Sequence, residues 1–421
     1  MRDVPRGLKT LLYGEAALKG QVERDTLALF ERWGYCRVET PSMEFLHILA
    51  KGLDAEALKR VITFTDPAGG GKPLALRPDV TPQIARIAAT SLAGRPSPHR
   101  FCYVATVYRS AAPGAGNRME QLQAGVELIG AATPSADSEV IALSMEAISA
   151  LNLKGAKIAI SHLGYIKSII DGVKLNTGQT ADVMRALSKK DAKGLNAAIE
   201  KAGAKGAAAE ALKKIPSLIG GVTILEKAPA VNDGSRRALD ELRTICGDLE
   251  KYNAAGEIVI DLGETRGFGY YTGVTFEGFV KGIGKSVLSG GRYDELLSMY
   301  GEGKQATGFA MNLNAILEYL GENAGNEWSV ADMLLTCDEA SCAESILLAS
   351  RLRGEKGLKV LRDILFMKDS ESAEYAKKFN IPNVVSLNSG QKGSAKVIHV
   401  PSGKEYTTTI EALIASNIVH P

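Results

Sequence analysis

VYRSAAPGAGNRMEQLQAGVELIG, residues 107–130, reads as two β-like stretches around a loop of small residues. A connection this short fits a hairpin better than a crossover, so the stretch predicts an antiparallel sheet. Side chains alternate along a strand, which puts Gln121, Gln123, Gly125 and Glu127 on one face of the second stretch and Leu122, Ala124, Val126 and Leu128 on the other. The polar face admits two readings. It is either the solvent side of an ordinary sheet, or one wall of a ligand pocket in which Gly125 leaves room for close approach. The loop from Ala111 to Gly116 carries no charge.

Outward from this hairpin, the chain alternates helices and short strands. Residues 18–33 read as an amphipathic helix ending before Gly34, and 35–40 as a strand stopped by Pro41. PLALRP is a strand leading into VTPQIARIAATSL, a helix with Thr81 as its predicted N-cap and Pro82 at its first position. SADSEVIALSMEAISAL is a helix and KIAISHLG a strand. From about 165 to 250, alanine and lysine dominate, and the pattern predicts a helical insertion. Strands return at 257–263, 270–280 and 285–290. A predicted helix YDELLSMY and the strand-plus-helix QATGFAMNLNAILEYL close the first unit. Mostly antiparallel pairing with this element order points to an α+β fold. GENAGNEW (321–328) reads as a linker, and the remainder as a small α/β domain. The expected domains are 1–325 and 326–421.

Composition narrows the class. The 421 residues are 45% hydrophobic and 23% charged, as in globular proteins. No apolar run reaches the roughly 18 residues of a membrane span, and no signal peptide is evident, so a cytoplasmic location is expected. The five cysteines are scattered, which suits neither a zinc site nor a disulfide framework. A net charge of +2 gives no support for nucleic-acid binding through bulk electrostatics.

Three further segments could carry chemistry. In LRPDVTPQ (76–83), Arg77 and Asp79 sit at a strand end, and the helix opening at Thr81 offers free N–H groups; a surface ion pair with a plain cap explains the same residues. ETRGFGYYTG (264–273) sets Arg266 among Gly267, Gly269 and Gly273 beside Tyr270 and Tyr271. Glycine permits close approach, arginine offers a fork for a carboxylate, and tyrosine can bound a ring; a glycine-rich turn is the alternative. SGGRYDELL (289–297) reads as architecture around a site, with Asp294 in the first turn of the predicted helix. No dinucleotide, P-loop, GxSxG or HExxH motif occurs.

Taken in order, WGYCRVETP, LRPDVTPQ, VYR…EQLQAGVELIG, ETRGFGYYTG and SGGRYDELL…ATGFAMNL resemble the motifs of the class II histidyl-tRNA synthetases over nearly the whole chain. The resemblance implies a class II aminoacyl-tRNA synthetase-like antiparallel sheet with flanking helices. It also implies a diverged anticodon-binding-like C-terminal domain. Arg109, the arginine of the second motif, is kept. The glutamate that follows in active members is Ala111, and a loop arginine aligns with Asn117, although Arg118 is adjacent. The Gly-Leu-Glu-Arg of the third motif reads Asn312-Leu313-Asn314-Ala315, so the arginine that clamps ATP is Ala315. Adenylation relies on such charges.

The amino-acid pocket is better preserved. Gln123, Glu127, Thr81, Arg266, Tyr270 and Tyr271 match ligand-reading positions; Asp79 replaces a glutamate and Gly269 an acidic residue. A histidine pocket without ATP machinery is similar to the regulatory subunits of ATP phosphoribosyltransferase. That resemblance implies no catalytic residues, cofactor or metal. It also implies a homodimer, a hetero-oligomer with the short catalytic subunit, and feedback inhibition by histidine without tRNA. On this reading Glu127 and Gln123 hold the imidazole or the α-amino group, and Asp79 and Thr81 the amino group. Arg266 faces the carboxylate, Tyr270 and Tyr271 wall the ring, and Arg109 completes the site. The rivals are a working histidyl-tRNA synthetase and a synthetase-like protein for another amino acid.

Overall fold

The computed structural model describes residues 4–110, 118–253, 257–323, 329–388, 390 and 392–415. The uncharged loop with Ala111 and Asn117, and the expected 325/326 junction, lie outside the described residues. The chain divides into two compact units. The first contains Lys19–Tyr319 with the N-terminal residues to Thr10; the second runs from Leu320 and takes in Leu11–Leu18.

A nine-stranded sheet organises the first unit. In spatial order its strands are Cys36–Arg37, His99–Tyr108, Glu120–Ile129, Ala306–Asn312, Leu288–Arg292, Val274–Val280, Ala156–His162, Glu257–Asp261 and Ile219–Gly220. Among the described residues only the 36–37/101–102 and 157–160/257–260 pairings of this sheet are parallel. The hairpin of the opening stretch is its longest ladder, pairing His99 with Ile129 through to Tyr108 with Glu120. The architecture is therefore the α+β, mainly antiparallel one that the sequence implies.

One face of the sheet is closed by apolar helices. Pro134–Ala150 buries Val140, Ile141, Leu143 and Met145, and Gly14–Arg32 brings Phe30 edge-on to Phe309 at 5.8 Å. Burying side chains of this size contributes on the order of 1.5–3 kcal/mol each, enough to fix which face of the strands turns away from the site. The other face packs Val80 and, from the Thr81–Ala89 helix, Ile84, Ala85 and Ala88 against Tyr103, Val107 and Tyr293. The insertion is helical as expected, from Leu163–Val173 to Asp233–Lys251, with Ile219–Gly220 as an added edge strand.

Two local expectations are corrected. Thr81 is the first residue of its helix and not the N-cap, which is Val80. The Asp79 carboxylate accepts the N–H groups of Val80 (2.7 Å) and Thr81 (3.4 Å), which frees the Thr81 hydroxyl for another partner. YDELLSMY forms no α-helix, only a 3₁₀ turn at Leu297–Met299. Tyr293 N–H still bonds the Ala306 carbonyl (2.8 Å), and Asp294 accepts from Ala306 N–H (3.1 Å) and Arg292 (3.3 Å). Those bonds hold 293–294 against the sheet and leave Asp294 outside any helical turn.

The second unit is a five-stranded sheet ordered Val360–Arg362, Met333–Cys337, Asn383–Leu387, Ser394–His399, Lys404–Thr409. Its first three strands are parallel and its last two antiparallel. The helix Cys342–Lys356 buries Leu348, Ala349 and Leu352 against it.

Candidate functional site

Glu127 lies on an interior strand of the sheet and is 1% exposed. Its Oε1 accepts a 2.6 Å hydrogen bond from the Thr81 hydroxyl, and its Oε2 accepts from the Tyr293 hydroxyl. Among the described residues no cation pairs with it. Burial pushes its carboxyl up to about 8, with the nearby Asp79 charge adding to the rise, while the two hydroxyl donors pull the other way. A carboxylate held this way is poised to ionise when a positive group arrives.

The sheet makes room for this carboxylate through two glycines. Gly308 is directly opposite Glu127, and a Cβ there would stand 2.1 Å from Glu127 Oε2. Gly125, opposite Tyr103, would place a Cβ 2.5 Å from the Tyr103 hydroxyl. Both side chains can therefore lie flat over the neighbouring strands. Burial holds the phenols of Tyr103, Tyr270, Tyr271 and Tyr293 protonated, so they remain donors.

Around Glu127 is a cavity of about 350 Å³, at the small end of ligand sites. Asp79, Thr81, Arg109, Gln123, Glu127, Tyr270 and Tyr271 all line it, so the structure brings together seven of the eight residues singled out from sequence. Gln123 Oε1 is buried with no hydrogen-bond partner, an acceptor facing a site that lacks its donor. Arg109 donates Nε to the Pro78 carbonyl (2.9 Å), which ties it to the segment carrying Asp79. Tyr270 packs edge-on to Tyr271 at 4.9 Å and parallel to Tyr293 at 5.9 Å, forming an aromatic wall. Gly267 has φ +75°, and a Cβ there would overlap the Tyr271 ring at 2.4 Å, so this turn needs glycine.

The eighth residue is placed elsewhere. Arg266 opens onto a larger neighbouring cavity of about 1370 Å³, which shares Asp79, Arg109, Tyr270 and Tyr271 with the first. Its side chain is 65% exposed and paired with Glu277. Arg77 is structural. Its guanidinium donates to the carbonyls of Thr106 (2.8 Å) and Thr40 (2.6 Å), pinning the strand end that delivers Asp79.

The family profile described as histidyl-tRNA synthetase matches residues 7–316. An ATP phosphoribosyltransferase regulatory subunit from Syntrophotalea carbinolica is 36% identical over 417 residues, covering 98% of this chain and 96% of that protein. The chain belongs to the family of ATP phosphoribosyltransferase regulatory subunits. A crystal structure described as an ATP phosphoribosyltransferase regulatory subunit/histidyl-tRNA synthetase, from Bacillus halodurans, aligns with TM-score 0.80 at 31% identity, over 92% of this chain and 98% of that one. Histidyl-tRNA synthetase from Nostoc sp. PCC 7120 aligns with TM-score 0.84 at 19% identity, over 99% and 98% of the two chains, which shows the shared class II fold.

In this regulatory-subunit family member the residues at the third-motif positions make structural contacts. Ala315 is 3% exposed and packs in the core, and Asn314 accepts the Leu122 N–H across to the hairpin. Asn312 accepts the Ala315 N–H at 3.3 Å and lines the small cavity opposite Gln123. Sequence reasoning did not single out Tyr293 or Gly308. Tyr293 follows the end of a strand, where alternation alone does not reveal its facing. Gly308 becomes informative only once its register with Glu127 is known.

Proposed function

We propose that this chain is a non-catalytic, histidine-sensing subunit that assembles with the short catalytic subunit of ATP phosphoribosyltransferase in the first step of histidine biosynthesis. Family membership supports the assembly. The observation that carries the sensing role is Glu127, a buried carboxylate with two hydroxyl donors and no cation among the described residues, beside the unpartnered Gln123 acceptor. Glu127 is the most enclosed polar residue lining the small cavity and takes the imidazole among the tyrosines. Asp79, Thr81 and Gln123 take the α-amino group. Arg109 turns toward the carboxylate, and Arg266 lies one chamber further out. The buried methyl of Ala315, where an ATP-clamping arginine is expected, supports the absence of adenylation.

Regulation follows from linkage. Histidine acts only through the difference in its affinity for two states of the complex. A homodimer through the first motif, and a diverged anticodon-binding-like role for the second unit, complete the reading. The test is co-purification with a short-form catalytic subunit, followed by its activity with and without histidine. Complex formation, activation and histidine inhibition are expected. Robust histidine-dependent pyrophosphate exchange by the chain alone would overturn the non-catalytic part.

A further inference from the structure

We propose that Arg292 is the positioning residue of the Glu127 clamp, acting through Tyr293 and Thr272 without reaching the ligand; this rests on the histidine-binding reading above. Arg292 ends the Leu288–Arg292 strand and is buried. Its Nε (3.0 Å) and Nη2 (2.7 Å) both donate to Asp137 Oδ2 at the start of the Pro134–Ala150 helix. The remaining N–H groups reach the carbonyls of Ala131 (3.1 Å) and Thr133 (3.3 Å) and the Asp294 carboxylate (3.3 Å). The guanidinium is thus fixed by the Pro134–Ala150 helix, the 131–133 segment before it and the nearby Asp294.

The backbone of the same residue governs the site. Its carbonyl accepts from Thr272 N–H (2.7 Å) and from the Thr272 hydroxyl (3.3 Å), directly after Tyr270 and Tyr271. Thr272 Oγ1 in turn accepts the Asp294 N–H at 3.1 Å. The next residue along is Tyr293, the donor to Glu127 and the stacking partner of Tyr270. Arg292 is therefore the point at which three parts of the clamp are set relative to one helix. A buried ion pair is a weak stabiliser compared with well-packed apolar side chains, so its contribution here is geometric specificity. Arg292 lines neither cavity.

The test is a double-mutant cycle read by calorimetric titration of the full-length chain with histidine. Arg292→Lys keeps a charge for Asp137 but cannot reproduce the fork, and Tyr293→Phe removes the donor to Glu127. Each single variant is expected to weaken binding about tenfold. Because one acts through the other, the double variant should fall within roughly twofold of the weaker single. Losses that multiply to about a hundredfold, or an Arg292→Lys affinity unchanged from wild type, would overturn the proposal. Thr272→Val, which leaves the ion pair intact, enters the same cycle if Arg292→Lys does not fold, with the same expectation and the same refuting outcomes. Glu127→Ala is titrated alongside. Unchanged binding there sinks the histidine reading itself, whereas lost binding with a normal Arg292→Lys sinks only the role of Arg292.

Discussion

Glu127→Gln should make the unliganded protein more stable, and increasingly so as pH rises. The buried carboxyl of Glu127 has its pKa raised from 4.5 to about 8. The folded chain therefore keeps a proton that the unfolded chain gives up between those values. Its contribution is fully present below the lower value and is lost as pH rises through the upper one. A tenfold difference in proton affinity corresponds to about 1.4 kcal/mol, so the wild-type fold should lose about 4 kcal/mol from this residue between pH 5 and pH 9. Glutamine is nearly the same size, can accept from one of the Thr81 and Tyr293 hydroxyls through its oxygen while its NH2 donates to the other, and never ionises. The measurement is urea unfolding of both proteins without ligand from pH 5 to 9. The gap between their midpoints should widen steadily and level off above pH 8. Histidine should then raise the wild-type midpoint and leave Glu127→Gln unmoved. Parallel stability curves across this range would refute the buried-carboxyl argument, because the two proteins differ only in whether this one group can ionise.

Proton counting identifies the group that meets Glu127. If the imidazole docks there, the proton leaving the carboxyl is taken up by the ring. Calorimetry at pH 7 in buffers of different ionisation enthalpy should then show almost no net exchange, whereas about 0.9 proton released would place the α-ammonium there. Gly308→Ala should abolish histidine binding in equilibrium dialysis and cost roughly 1–3 kcal/mol of stability, because its methyl overlaps Glu127 Oε2. Arg109→Ala should weaken histidine binding about tenfold and Arg266→Ala less than about threefold, since the second arginine is exposed and already paired; the reverse order in fluorescence titration would return the carboxylate to Arg266.

Much of this site was legible because strands impose a strict period. Alternation from Gln121 to Glu127 placed the polar face, and the short connection indicated the hairpin, whose register the structure supplies. The pocket residues on separate segments, Asp79 with Thr81 and Tyr270 with Tyr271, could be joined to that face only through the family resemblance. No local pattern states that the 73–76 strand delivers Asp79 beside the 120–129 strand. The misread positions share one physical cause. Thr81 looks like an N-cap because threonine caps helices, but here Asp79 takes the N–H groups and Glu127 takes the hydroxyl. The YDELL segment has helical composition, but Tyr293 and Asp294 direct their hydrogen bonds to the sheet. In each case a tertiary partner outcompetes a local preference, and for Thr81 that partner is the central carboxylate of the site.

On the proposed reading ligand sensing persists where ATP chemistry does not, and the two sets of positions stand differently in the fold. The Glu127 clamp is built into the middle of the sheet, where Gly308 and Gly125 clear the space and the Thr81 helix start and Tyr293 supply the donors. Altering any one of these disturbs strands packed on both sides. The positions that grip ATP in the resemblance stand differently. One group falls at Ala111 and Asn117, outside the described residues, and the other at the start of the Leu313–Asn323 helix, where Ala315 fills space with a methyl and Asn314 commits its side chain to the Leu122 N–H. Asn314 ties that helix directly to the hairpin carrying Gln123 and Glu127. On the proposed reading, a helix start that would hold phosphates instead braces the sensing strand, so the residues that stand in for the ATP clamp also support the pocket.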